Sequence, residues 1–130
     1  MAKITRTFSD IDLNFTKHPV TQDVSKKFDD AAIKQSIKTL VLTRNYERPF
    51  HSEIGTPLSS LMFEQVSPVA AQLIKKVIEQ TIVNFEPRVV LMDVQVKFSP
   101  DNNSVYCSIT YRIVNTSTPQ TVNLTLKRTR

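Results

Sequence analysis

The hydrophobic period of this chain changes once, at Pro87, and that change limits the fold more than any other feature. Before Pro87 the apolar residues recur at every third or fourth position, and after it they recur at every second position. The first spacing is typical of amphipathic helices, and the second is typical of strands with one buried face. The sequence therefore predicts an α+β fold, with N-terminal helices followed by a C-terminal sheet.

Three helices are predicted before Pro87, and each has a start signal, a polar residue that can cap the first turn. The predicted helices run from Asp29 or Asp30 to about Thr43, briefly after the cap Thr56 and Pro57, and from Pro68, capped by Ser67, to about Phe85. Pro87 ends the third helix, because the residue before a proline is pushed out of the α region. We therefore expect Glu86 to be extended.

Three strands are predicted after Pro87, separated by two segments rich in turn-forming residues. The side chains expected to face the core are Val90, Met92, Val94, Val96 and Phe98 on the first strand, Val105, Cys107, Ile109, Tyr111 and Ile113 on the second, and Val122, Leu124 and Leu126 on the third. Short connections predict a three-stranded antiparallel meander. One apolar face per strand predicts that the helices pack on one face of this sheet.

The length of 130 residues fits a single domain with one core. Residues 1–27 show no helical period, and we expect them to form an irregular N-terminal arm that is at least partly docked. Residues 28–88 are the predicted helical part, and residues 89–130 are the predicted sheet part.

The composition argues against most small-molecule sites. A phosphate-binding loop needs several glycines, and this chain has one, Gly55. The two histidines lack the spacing of metal ligands. The lone Cys107 excludes an internal disulfide framework and is expected to pack in the core. No apolar run approaches the roughly 20 residues that span a bilayer. We therefore expect no metal, no cofactor and no membrane partner.

Catalysis and nucleic-acid binding also find little support. Glu53 and Glu86 are a candidate glycosidase pair, but a retaining enzyme needs carboxyls about 5–5.5 Å apart, which the sequence does not give. The net charge of +5 comes from scattered cations, apart from two lysine pairs and the tail at 127–130. We expect no nucleic-acid partner. The tail either steers an acidic protein surface or keeps a sheet edge soluble.

Two features suggest protein binding, and each has a plain structural alternative. The tripeptide Glu86-Pro87-Arg88 either presents a rigid recognition point or stops the helix while Arg88 offsets its dipole. The last strand, Thr121 to Leu126, contains no proline, so its edge either accepts a strand from another chain or is blunted by the charged tail.

Short motifs in order along the chain resemble the baseplate wedge proteins of contractile-tailed, T-even-like bacteriophages. That family includes the type VI secretion baseplate component, and its members are sometimes called lysozyme-like. The matching motifs are Phe8-Ser9-Asp10-Ile11-Asp12, Asp23-Val24, Ser36-Ile37-Lys38-Thr39-Leu40, Thr43-Arg44, Glu47-Arg48-Pro49-Phe50, Glu53, Gly55, Phe63-Glu64 and Asn84-Phe85-Glu86-Pro87-Arg88-Val89.

The resemblance implies a non-enzymatic structural subunit of a virion tail baseplate, assembled in the host cytoplasm. It implies that Glu86, Pro87 and Arg88 bind the helical core bundle of other wedge proteins. It also implies that the sheet takes up strands of the tail sheath protein and templates the first sheath ring, with the tail tube or hub nearby. The residues expected at the sheath are Thr121, Asn123, Thr125, Lys127 and Arg128. The alternative is a lysozyme-like cell-wall hydrolase of the tail.

The chain departs from the family pattern in the loop at 44–55. Many relatives have glycine where Tyr46 stands, so we expect Asn45 to supply the positive φ of that turn. Ser52 replaces a common proline before Glu53.

Overall fold

The computed structural model describes residues 8–99, 101–114 and 116–128, which fall into two compact units, Met1–Ser36 and Ile37–Arg130. In this part of the chain the elements are β1 (Ser9–Ile11), β2 (Lys26–Phe28), α1 (Asp29–Leu42), α2 (Leu58–Leu61), α3 (Pro68–Phe85), β3 (Val89–Ser99), β4 (Ser104–Ile113) and β5 (Pro119–Lys127). The sheet order is β3-β4-β5 and both pairings are antiparallel. The predicted α+β class and meander are confirmed. No described helix is long and apolar enough to cross a membrane.

The first unit contains a pairing that the sequence analysis missed. β1 and β2 form an antiparallel ladder from Ser9↔Phe28 to Ile11↔Lys26, so residues 8–27 are not wholly irregular. Strands of three residues are too short for their alternation to be recognised. Gln35 of α1 holds this arm, because its Nε2 donates to the Ile11 carbonyl at 2.8 Å. Residues 1–7 of the predicted arm lie outside the described part.

The helix limits follow the start and stop signals, with one correction. The Ser67 hydroxyl accepts a hydrogen bond from the Ala70 N–H at 3.1 Å, as expected of a cap. Thr56, however, does not cap α2, whose cap position is Pro57 and has no side-chain cap bond. The buried Thr56 hydroxyl instead donates to the Val41 carbonyl at 2.8 Å. The last carbonyls of a helix have no hydrogen-bond partner within the helix. The Thr56 hydroxyl therefore satisfies a carbonyl at the end of α1 instead of capping α2.

A β-bulge in β3 corrects the predicted core face of that strand. The register with β4 shifts between Leu91 and Asp93, which leaves Met92 as the extra residue. Because side chains alternate along a strand, one extra residue exchanges the two faces. Val90 and Met92 are therefore exposed, at 44% and 60%, although both were expected to face the core. Beyond the bulge Val94 is buried as predicted.

The core of the second unit lies where α3 packs against the sheet. Its buried apolar residues share the inner faces of the helices and strands. They are Ile37, Leu40, Val41, Leu58, Met62, Ala70, Ile74, Ile78, Ile82, Val94, Val105, Cys107, Ile109, Tyr111, Ile113, Val122, Leu124 and Leu126. The predicted inward faces of β4 and β5 are thus confirmed. At the start of α3, Val69 and Leu73 remain exposed.

The loop between α1 and α2 is closed by backbone contacts. The Thr56 N–H donates to the Thr43 carbonyl at 2.8 Å. Gly55 has φ +130°, and a Cβ there would lie 2.7 Å from the Thr43 carbonyl oxygen, so only glycine fits. The positive φ expected at Asn45 occurs at Tyr46 itself, with φ 67°. The hydrogen bond from the Tyr46 N–H to the Ser52 carbonyl holds this conformation.

The first unit should lose stability in acid through Asp12. Its buried carboxylate accepts from the Asn14 N–H at 3.1 Å, and Lys27 Nζ lies 3.3 Å away. The Asn14 N–H first, then the Thr16 hydroxyl and Lys27, hold the pKa of Asp12 below its ordinary value of 3.8. A lowered native pKa means that the stabilisation is complete above 3.8 and is lost as the pH falls below it. The protection factor of the Asn14 amide, the exchange rate in an unfolded chain divided by its own, should fall over that range. Asp12→Asn should flatten the profile, and Asp101→Asn should not.

Tyr46→Gly should stabilise the protein. A bulky residue in the left-handed region costs about 1–2 kcal/mol, and glycine loses about 0.5–1 kcal/mol of unfolded-state entropy. The Tyr46 side chain is 84% exposed, so its removal costs little packing. We expect a net gain of about 0.5–1 kcal/mol, measured by thermal unfolding. The control Asn45→Gly should lower the midpoint, and a lower midpoint for Tyr46→Gly would contradict the assignment of strain.

Candidate protein-interaction surfaces

The tripeptide Glu86-Pro87-Arg88 is held together by an internal ion pair. Arg88 Nε donates to Glu86 Oε1 at 2.7 Å, and its Nη2 donates to Oε2 at 3.0 Å. Glu86 is 3% exposed, whereas 24% of the Arg88 side chain is accessible. A guanidinium matches a carboxylate in this two-bond geometry, and the pairing compensates the burial of the Glu86 charge.

The same tripeptide joins α3 to the sheet. Glu86 is the C-cap of α3 with φ −124° and ψ 82°, so it is extended as predicted, and its N–H still donates to the Ile82 carbonyl. Arg88 directly precedes β3, and its carbonyl already accepts a hydrogen bond from the Val114 N–H at 3.0 Å. Pro87 lies exposed between them. The ion pair therefore fixes the direction in which the chain leaves the helix, and Pro87 and part of the Arg88 side chain remain accessible.

The two glutamates of the hydrolase alternative have dissimilar environments. Glu53 is exposed and lies 3.5 Å from His51 Nδ1. Glu86 is buried, and both of its carboxylate oxygens accept hydrogen bonds from Arg88. A general acid must offer its proton to a substrate in a cleft. Neither glutamate lines the groove that lies beside the ends of α1 and β5.

Cys107 is confirmed as a core residue of β4. It is 1% exposed, and burial raises the pKa of its thiol to about 11. A nucleophilic cysteine needs an accessible thiolate. At neutral pH Cys107 is therefore a packed thiol. No group of three or more potential metal-binding side chains occurs among residues 8–99, 101–114 and 116–128.

The outer edge of β5 presents backbone groups without a strand partner in the described sheet. The Arg128 N–H donates to the Asn103 carbonyl at 3.0 Å, and the β4–β5 register is regular from there. Bonded and non-bonded pairs alternate in an antiparallel ladder, so the even-numbered residues of β5 bond to β4. The N–H and C=O groups that point away from β4 belong to Thr121, Asn123, Thr125 and Lys127. All four side chains are exposed.

The outer edge of β3 is less accessible for pairing. This strand contains the bulge at Met92, and α3 packs against it. Lys75 of α3 lies 3.5 Å from the Asp93 carboxylate of β3. Bulges and covering elements are devices that keep an edge from pairing. The β5 ladder contains no register shift, which makes it the more regular of the two edges.

Of the two basic residues expected at the sheath, only Lys127 is exposed. Arg128 is half-buried, and its Nη2 donates to the Glu64 carbonyl at 2.7 Å. This contact joins residues 64 positions apart, so no local pattern along the chain predicts it. The Glu86–Arg88 pair, in contrast, could have been predicted from opposite charges two residues apart at a helix end. Residues 129 and 130 of the predicted tail lie outside the described part.

Comparison with known proteins agrees with the motif resemblance. Residues 28–118 match the family described as baseplate wedge protein gp25. The chain is also similar to the baseplate wedge protein gp25 of Enterobacteria phage T4, with 32% identity over 115 residues, which is 88% of this chain and 86% of that protein.

Solved structures share the fold. A putative tail lysozyme from Geobacter sulfurreducens gives a TM-score of 0.70 at 20% identity, covering 75% of this chain and 89% of that one. A chain of the anti-feeding prophage baseplate gives 0.65 at 20% identity, covering 95% and 87%. A chain of the post-contraction pyocin R2 baseplate gives 0.65 at 19% identity, covering 82% and 98%.

Removing Arg88 should destabilise the protein, because it leaves the buried Glu86 carboxylate without its two-bond partner. We expect Arg88→Ala to lower the free energy of unfolding by about 2–3 kcal/mol and Arg88→Lys by about 1 kcal/mol, since lysine keeps the charge but loses the planar fork. Urea denaturation measures both values. The exposed Arg112 provides the control, and Arg112→Ala should change the free energy by less than about 0.5 kcal/mol. Equal effects of the two alanine variants would contradict a role for the ion pair in folding.

Proposed function

This chain belongs to the baseplate wedge protein gp25 family, and we propose that it links the wedge core of a contractile phage tail to the sheath. It is a structural component of the baseplate. In the proposal, the sheet templates the first ring of sheath subunits by strand addition. The protein acts without catalysis, is assembled in the host cytoplasm, and lies near the tail tube or hub.

The observation that carries this proposal is the regular, unpaired edge of β5. Thr121, Asn123, Thr125 and Lys127 direct their backbone groups outward, while Pro119 lacks an N–H at the start of the strand. An added strand would gain its affinity from these main-chain hydrogen bonds. Its register would come from the side chains of alternate residues, because a slip of one residue exchanges the faces.

The link to the wedge core is proposed to use the α3–β3 junction. The Glu86–Arg88 ion pair holds Pro87 at an exposed position with a fixed backbone. A rigid surface loses little conformational entropy on binding, so a partner helix bundle would bind it at low cost. Pro87 and the accessible quarter of Arg88 would make the contact, while Glu86 would act by positioning Arg88.

The hydrolase alternative gains no specific support. Glu86 is buried, and both of its carboxylate oxygens accept hydrogen bonds from Arg88. Glu53 is exposed beside His51. The similarity to the putative tail lysozyme is at 20% identity and concerns the fold.

Asn123→Pro should block sheath growth while baseplates still form. The Asn123 N–H points away from β4, so proline there removes an outward donor without breaking a β4–β5 bond. Tails assembled with this variant should show complete baseplates with short or absent sheaths in electron micrographs. Asn123→Thr, which keeps the N–H, should give sheaths of normal length.

The isolated Asn123→Pro protein must remain folded for this comparison, which thermal unfolding establishes. Normal sheath length with a folded proline variant would contradict strand addition at β5. Loss of the baseplate itself would assign this edge to wedge assembly instead.

A further inference from the structure

A groove of about 600 Å³ opens beside the C-terminal end of β5. Its walls come from the end of α1, from α2 with the residues that follow it, and from the end of β5. The apolar lining consists of Val41, Leu42, Leu58, Met62, Phe63 and Leu126. Two of these side chains are left open to solvent, because Phe63 is 63% exposed and Leu42 is 48% exposed. The groove thus presents an unfilled apolar surface in direct continuity with the strand edge.

The ladder geometry places a partner's side chain in this groove. Residues directly opposite each other on neighbouring strands have their side chains on the same face of the sheet. Leu126 points to the helix side and lines the groove, so the residue opposite it on an added strand also points there. Leu126 bonds to β4 and would form a non-hydrogen-bonded pair with the added strand, in which side chains approach more closely.

Basic residues surround the C-terminal end of β5. Arg44 and Arg128 line the groove together with part of Lys127, and none of the described lining residues is a carboxylate. Lys127 directs its side chain to the exposed face and its backbone groups to the free edge. The residue opposite Lys127 on an added strand would lie within reach of its ammonium group. Opposite charges at paired positions stabilise a sheet, and like charges destabilise it.

We propose that the C-terminal end of β5 selects the strand that adds to it. The groove accepts a large apolar side chain opposite Leu126, and Lys127, on the other face of the sheet, pairs with an acidic residue opposite it. The inference rests on the proposed strand addition and specifies the chemistry of the partner segment. Main-chain bonds accept any extended sequence, whereas the groove accepts one pattern. The occupant is therefore an extended segment of another chain that carries an apolar residue next to an aspartate or glutamate.

The experiment titrates the full-length, isotope-labelled protein with synthetic peptides and follows its amide and Met62 methyl NMR signals. Two peptides cover both strand directions, Asp-Phe-Thr-Val-Thr-Val-Thr for antiparallel addition and Thr-Val-Thr-Val-Thr-Phe-Asp for parallel addition. In matched peptides Phe is replaced by Ala, or Asp is replaced by Lys. For one direction we expect the Phe-Asp pattern to bind at least about tenfold more tightly than the Ala peptide, because the ring leaves water. The Lys peptide should bind more weakly, with a difference that shrinks in salt.

A groove variant provides the second arm. Ser59 lines the groove and is half-buried, so Ser59→Trp should fill it and abolish the preference for Phe while leaving binding of the Ala peptide unchanged. Ser117→Trp, located before the start of β5, should keep the wild-type preference.

Three results would overturn the inference, and they differ in whether the proposed strand addition is also contradicted. Equal affinity for the Phe and Ala peptides would contradict selection by the groove but would be compatible with strand addition. If no peptide shifts the amide signals of Thr125 and Lys127, strand addition at β5 is contradicted as well. Met62 signals that shift with protein concentration in the absence of peptide would assign the groove to a second copy of this chain.

Discussion

The unpaired backbone of an edge strand is the constraint from which the proposed function follows. A three-stranded sheet leaves an outer row of N–H and C=O groups on each side, and a soluble protein must cover those rows or use them. Here the two edges are treated differently in the described structure. β3 has a bulge and the packing of α3, whereas β5 keeps a regular ladder with outward groups at alternate positions. In the proposed function, this difference directs an added strand to the β5 edge.

The Glu86–Arg88 ion pair connects folding to the other proposed surface. A buried carboxylate is costly unless both of its oxygens are paired, and Arg88 satisfies them from the first residue after Pro87. The same pair fixes the exposed proline between them. A loss of wedge binding in Arg88→Ala would therefore combine a destabilised fold with a lost contact. Arg88→Lys separates the two effects better, since it retains the charge beside Glu86.

The sequence predicted those parts of the fold that local patterns determine. Ser67, Pro68 and Pro87 give the limits of α3, and strict alternation gives the inner faces of β4 and β5. The bulge at Met92 was missed because residues 89–92 are all apolar, so either face of that part of β3 could have been the buried one. Hydrogen bonds between segments distant in the sequence could not be predicted from local patterns either. Thr56 was expected to cap α2, but the end of α1 takes its hydroxyl, and Arg128 binds the distant Glu64 carbonyl.

Recognition by main-chain bonds raises a problem of specificity that the chain must solve with side chains. Every extended peptide carries the same N–H and C=O groups, so the β5 edge alone would accept many segments. The side chains that discriminate must lie on the faces of the ladder, and on the helix side the end beside Leu126 opens into a groove. A partner displaced by one residue would turn its polar side chains toward that apolar surface. In the proposed strand addition, the groove would convert a general affinity for strands into a preference for one sequence in one register.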